Sequence, residues 1–217
     1  MRKNRKKLLL IPIILLAVIV VGTTVAYLNV KSSITNHFVV GSFNLPTTDP
    51  KTGENKNLTQ YLDEPSWDDT QTHKLLPGAT FDKDPYVGIG AGSEDAVVYV
   101  YVENNFSENV YFTINNGWAP VENETTAGSA ASSYTSGLFK YTNGLTANAN
   151  SDSWTTTPLF SAINVSNNAT EADFEVAEGK DATIKVSSFI HQANDSTGSP
   201  ISSSTIEDAA KSAFGIN

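Results

Sequence analysis

The chain is 217 residues long and carries 14 Lys and Arg against 23 Asp and Glu, a formal net charge of −9, with no cysteine. The lack of cysteine excludes thiol catalysis, cysteine-ligated zinc and a disulfide scaffold. Arg2, Lys3, Arg5, Lys6 and Lys7 supply five of the basic residues, so the remainder sets nine basic against 23 acidic groups, a balance of −14. Charge of that sign repels phosphate backbones and anionic lipid, and no nucleic-acid partner is expected.

Residues 1–26 have the three parts of an export signal peptide: a basic start, a run from Leu8 to Gly22 without a polar side chain, and Thr23-Thr24-Val25-Ala26. Thr24 and Ala26 occupy the small-residue positions, which predicts cleavage between Ala26 and Tyr27. The alternative is an uncleaved anchor, since Leu8 to Leu28 is close to the about 20 residues that span a bilayer. Either way the remainder lies outside the cytoplasm, and its contact with membrane is through the signal segment.

From there on the chain is rich in Ser, Thr, Asn, Gly and β-branched or aromatic residues, and helical periodicity is missing until its last fifteen positions. That is an all-β profile. In chain order the expected strands are Phe38 to Leu45, Leu58 to Leu62, Lys74 to Phe81, Tyr86 to Ile89, Ala96 to Glu103, Val110 to Ile114, Leu138 to Thr142, Trp154 to Ile163, Phe174 to Val176 and Ala182 to His191. Turn-rich stretches, Pro46 to Asn57 and Asn115 to Thr135 among them, separate them, which points to a jelly-roll-like β-sandwich.

Ala96 to Glu103 is apolar at both parities and is therefore expected at the centre, with Val98, Val100 and Val102 on one face and Val97, Tyr99 and Tyr101 on the other. Asp181 to Phe189 alternates instead, which leaves one face for solvent. Residues 124–153 read as a long surface insertion around one strand. Ser204-Thr205-Ile206-Glu207 reads as a capping box, and Ile206, Ala209, Ala210, Ala213 and Phe214 form an apolar stripe ahead of Gly215. A short helix over 205–214, packed on the sandwich, follows.

Residues that carry chemistry are sparse. His37, His73 and His191 are too far apart for a local ligand pair, and no His-Glu-x-x-His or Gly-x-Ser-x-Gly occurs. Gly88-Ile89-Gly90-Ala91-Gly92 precedes a strand, so it reads as a turn and not as a phosphate loop. The pairs Asp68/Asp69, Asp82/Asp84 and Glu94/Asp95 lack the spacing of a calcium loop and read as solvated charges. Trp67, Trp118 and Trp154 fit either a sugar-stacking platform or buried sandwich positions. Six Asn-x-Ser/Thr triplets, at Asn57, Asn105, Asn123, Asn164, Asn168 and Asn194, are unremarkable in so Asn-, Ser- and Thr-rich a chain. No cofactor, metal site or catalytic residue is expected.

Several segments nevertheless match a known family in order and spacing. Ala26-Tyr27-Leu28 and Phe38-Val39-Val40-Gly41-Ser42-Phe43-Asn44-Leu45 resemble the start of mature proteins of the TasA/camelysin family, exported by Gram-positive bacteria and processed by a SipW-type signal peptidase. Glu64-Pro65-Ser66-Trp67-Asp68, Leu76-Pro77-Gly78, Lys83-Asp84-Pro85-Tyr86-Val87, Asp95 to Val100, Ile190-His191-Gln192-Ala193 and Ala209 to Gly215 are similar to its BsaA-like biofilm-matrix members. The glycine run Gly88 to Gly92 departs from the asparagine-x-glycine turn of those relatives, and 124–153 has no counterpart in them.

The resemblance implies a secreted structural subunit of an extracellular fibre or biofilm matrix, polymerising head-to-tail by donor-strand exchange. Its partners would be further copies of itself, the signal peptidase during export, and an accessory anchor or minor fibre protein. On that reading 1–26 is the signal peptide, 27–45 the donor segment and first strand, and 46–217 the sandwich, with Tyr27, Leu28, Val30 and Ile34 as the donor side chains. The alternatives are a camelysin-like cell-surface metallopeptidase and a monomeric adhesin or glycan-binding module.

Overall fold

The computed structural model describes residues 31–68, 73–178 and 182–216. The strands are β1 (Lys31–Val40), β2 (Leu62–Asp63), β3 (Thr80–Asp82), β4 (Tyr86–Ile89), β5 (Ala96–Asn104), β6 (Val110–Tyr111), β7 (Trp118–Ala127), β8 (Tyr134–Tyr141), β9 (Ser153–Trp154), β10 (Ala162–Val165) and β11 (Thr183–Gln192), followed by the α-helix α1 (Ser203–Phe214). The architecture is all-β with one short C-terminal helix. A five-stranded sheet runs β1-β11-β5-β8-β7, and two small sheets run β3-β10-β6 and β2-β4-β9.

β5 lies in the middle of the large sheet, antiparallel to both β11 and β8, as its two apolar parities require. Val98, Val100 and Val102 enter the main core with Ile184, Val186, Phe139 and, from the small sheets, Leu62, Val87, Ile89 and Ile163. Tyr99, flanked by Val97 and Tyr101, faces the opposite side, where a second, smaller core forms under α1. The outer face of β11 is consequently not left to solvent along its whole length: Ser187 and Phe189 are buried, Phe189 in the core beneath the helix.

The helix begins earlier than its capping box suggests. Ser202, not Ser204, is the N-cap, its Oγ accepting from the Thr205 N–H at 3.2 Å. Gly215 closes the other end in the left-handed region at φ 69°. Ile206 and Ala210 of the apolar stripe are buried, and Ala209, Ala213 and Phe214 are partly so.

Several expected strands are corrected. The first lies earlier, over Lys31–Val40, because Gly41 at φ 128° ends it. Pro77-Gly78 holds the segment before β3 in a turn, and the stretch from Trp154 to Ile163 splits into β9 and β10 around Pro158, with Leu159 and Phe160 buried between them. Residues 171–174 form a 3-10 turn in place of a strand start, with Asp173 Oδ2 accepting from the Thr170 N–H at 2.7 Å. The supposed surface insertion 124–153 contributes the end of β7 and all of β8, whose Leu138 and Phe139 are fully buried. β7 escapes a reading by alternation because it is an edge strand with Pro120 in it, and its register against β8 shifts between Pro120 and Thr125.

Candidate functional site: an edge strand and its anchor

Among the described residues β1 hydrogen-bonds to a neighbour on one side only, since β11 alone flanks it in the sheet there. The pairing is parallel, from Lys31 opposite Thr183 to Val40 opposite His191, and it breaks between Ile34 and His37. A parallel ladder is slightly weaker per residue than an antiparallel one, and a broken edge ladder is weaker still. Val39 and Val40 are exposed, at 38% and 44%. Of the residues assigned to export and donation, Ala26, Tyr27, Leu28 and Val30 lie outside the described residues, while Ile34 stands opposite Val186 of β11 within its own chain.

Beyond Gly41 the backbone is pinned. The Asn44 N–H donates to Ser93 Oγ at 3.0 Å and the Asn44 side-chain amide to the Ala91 carbonyl at 2.7 Å. The Gly90 N–H donates back to the Asn44 carbonyl at 2.8 Å. A Cβ on Gly90 would lie 2.2 Å from the Leu45 carbonyl oxygen, and one on Gly88 would lie 2.4 Å from the Trp154 ring. The glycine run is therefore a seat for the chain leaving β1 and for the β9 tryptophan, a role its composition alone does not reveal. Asp152 completes the seat: its Oδ2 accepts from the Thr47 N–H at 2.6 Å and from the Thr48 hydroxyl at 2.7 Å, and its Oδ1 from the Ala91 N–H at 3.3 Å. β1 is thus a strand held by one ladder and joined through a glycine to a fixed anchor.

The family-like motifs meet at a second place. Lys83 donates to Glu64 Oε2 at 2.6 Å, with the two side chains 1% and 3% exposed. The same ammonium lies 4.6 Å from the centre of the Trp67 ring, and His73 stacks on that ring at 4.2 Å. Asp84 accepts from the Ser66 N–H at 2.7 Å and from Lys51 at 3.2 Å. Glu64-Pro65-Ser66-Trp67 and Lys83-Asp84 are therefore the two halves of one interior ionic joint.

The other candidates are dispersed. Trp118 is buried against Tyr141, while Trp67 against His73 and Trp154 against Gly88 are half-buried, and no two of the three tryptophans are in ring contact among the described residues. His191 is buried, with Nδ1 2.7 Å from the Gln192 carbonyl. Among the described residues no group of three His, Asp or Glu side chains is placed to hold a metal ion, and no helix is long and apolar enough to cross a membrane. Glu94, Asp95 and Asp195 line a surface depression of about 310 Å³ with Gln192 and Asn194, but Asp95 is already engaged by the Ala147 N–H at 2.7 Å.

Sequence reasoning missed Asp152, which stands alone in a polar stretch and is recognisable only once its backbone and hydroxyl donors from Thr47, Thr48 and Ala91 are brought to it. Comparison with known proteins found no matching family model, no matching curated protein and no matching solved structure.

Proposed function

We propose that the protein is a structural subunit of an extracellular fibre or matrix, in which β1 of one copy replaces β1 of the next. The observation that carries this reading is the combination of an interrupted parallel ladder, one-sided among the described residues, with a glycine at its exit and a fixed anchor behind it. Exchange preserves the contacts β1 makes in its own chain, so little free energy separates the closed and swapped forms. The exchange is head-to-tail and does not close on itself, so it propagates as a filament. Main-chain hydrogen bonds to β11 supply affinity, and the alternating side chains set register. The resemblance to TasA-like matrix proteins and the export signal support the same reading.

Deleting residues 27–35 from the exported chain tests it. A folded, soluble monomer that does not elongate in electron micrographs is expected. Normal filaments from the deletion variant, or its global unfolding, would sink the proposal.

A further inference from the structure

The second core contains few buried side chains: Tyr99, Val121, Leu138 and Phe189 from the sheet, with Ile206 and Ala210 from α1. It also traps the Tyr99 hydroxyl, which is buried with no hydrogen-bond partner among the described residues. An unsatisfied hydroxyl beneath the helix penalises the docked state and is relieved when water enters. Docking therefore leans on contacts at the two ends of the helix and along its side. Lys140 donates to Ser203 Oγ at 3.2 Å at the start, and Lys211 reaches Glu124 of β7 at 3.3 Å. At the far end Phe214 stacks on Tyr101 at 5.3 Å and meets the edge of Phe38 at 5.5 Å. Phe38 belongs to β1 and lies beyond the break in its ladder, in the half that runs from His37 to Val40.

We propose that α1 is a latch on the edge strand: through Phe214 on Phe38 it clamps residues 37–40 to β11, so that undocking of the helix and release of β1 are one coupled event. The half from Lys31 to Ile34 precedes the ladder break and is outside this clamp. The latch regulates the strand to which the proposed fibre function assigns exchange, and to that extent it rests on that reading. A ligand or surface that lifts the helix would free β1, and by reciprocity a chain whose β1 has left would hold its helix less firmly.

Amide hydrogen exchange on the exported chain, kept monomeric, tests the coupling. Phe214→Ala and, independently, Lys211→Met should each speed exchange across residues 37–40 by about tenfold or more, while β5 and β8 stay as in the parent. Phe38→Ala should speed exchange across residues 203–214 in return. Unchanged exchange in β1 for either helix variant overturns the latch, and so does an equal rise in β5 and β8, which would report general destabilisation. Because the measurement is made on monomer, coupled exchange in a chain that never forms filaments refutes the fibre reading alone. Filaments from a chain with uncoupled exchange refute the latch alone.

Discussion

Lys83 and Glu64 show how a single pair can hold two segments at once. Their 2.6 Å contact is nearly without solvent, so each charge has lost most of its hydration and is compensated in part by the other. Lys83→Met should therefore destabilise the protein by up to about 3–5 kcal/mol, because it leaves the Glu64 carboxylate in the interior without its ammonium. The double variant Lys83→Met/Glu64→Leu should recover most of that loss, since removing both charges also removes both desolvation costs. Urea unfolding of the single and double variants measures the difference. A double variant no more stable than Lys83→Met alone would mean that the rest of the joint, Trp67 and His73 included, depends on the charges themselves.

The anchor behind β1 is a property of three elements together: the 41–48 stretch, the loop after β4 and the approach to β9. Asp152 joins them, and its ionisation reflects the competition at that point. Burial resists the charge, but hydrogen bonds from Thr48, Thr47 and Ala91 outweigh it and hold the carboxyl below the ordinary carboxylate value. A depressed folded pKa means that the stabilisation is complete above the unfolded value of about 4 and is lost as pH falls through the folded one. Asp152→Asn should therefore be less stable than the parent near neutrality, with the gap narrowing below about pH 4. Thermal unfolding of both at pH 7 and pH 3 decides the matter, and an equal gap at the two values contradicts it. β7 behaves differently at the opposite edge of the sheet: Pro120 lacks a donor, and Asn123 sits at φ 63°, so that edge is poorly shaped to accept an added strand.

Across the whole molecule the excess of acidic groups acts as a uniform stress on the compact state. From Tyr27 onward the balance is −14, and exposed pairs such as Lys185 with Glu103 at 2.9 Å offset little of it. Raising monovalent salt from about 10 to about 150 mM shortens the screening length from about 30 to about 8 Å. The melting temperature of the chain from Tyr27 onward should rise over that range, because repulsion is screened more than the weak exposed pairs are. A fall would show that specific ion pairs outweigh the net charge.

The sequence by itself determined the all-β class, the division of β5 into a valine face and a tyrosine face, and the C-terminal helix with its apolar stripe. Those features depend on local periodicity, which period-two strands and an i, i+3, i+4 helix write directly into the order of residues. Only the tertiary structure decided that β1 lies parallel to β11, that residues 118–141 build two strands of the large sheet, and that Phe214 meets Phe38. Each joins residues far apart in the chain. Edge strands tolerate proline and bulges, so β7 lacks the continuous apolar run that betrays the central β5. The anchor was illegible for a related reason: an aspartate, two threonines and a glycine run are ordinary loop residues until the fold brings their donors and acceptors together.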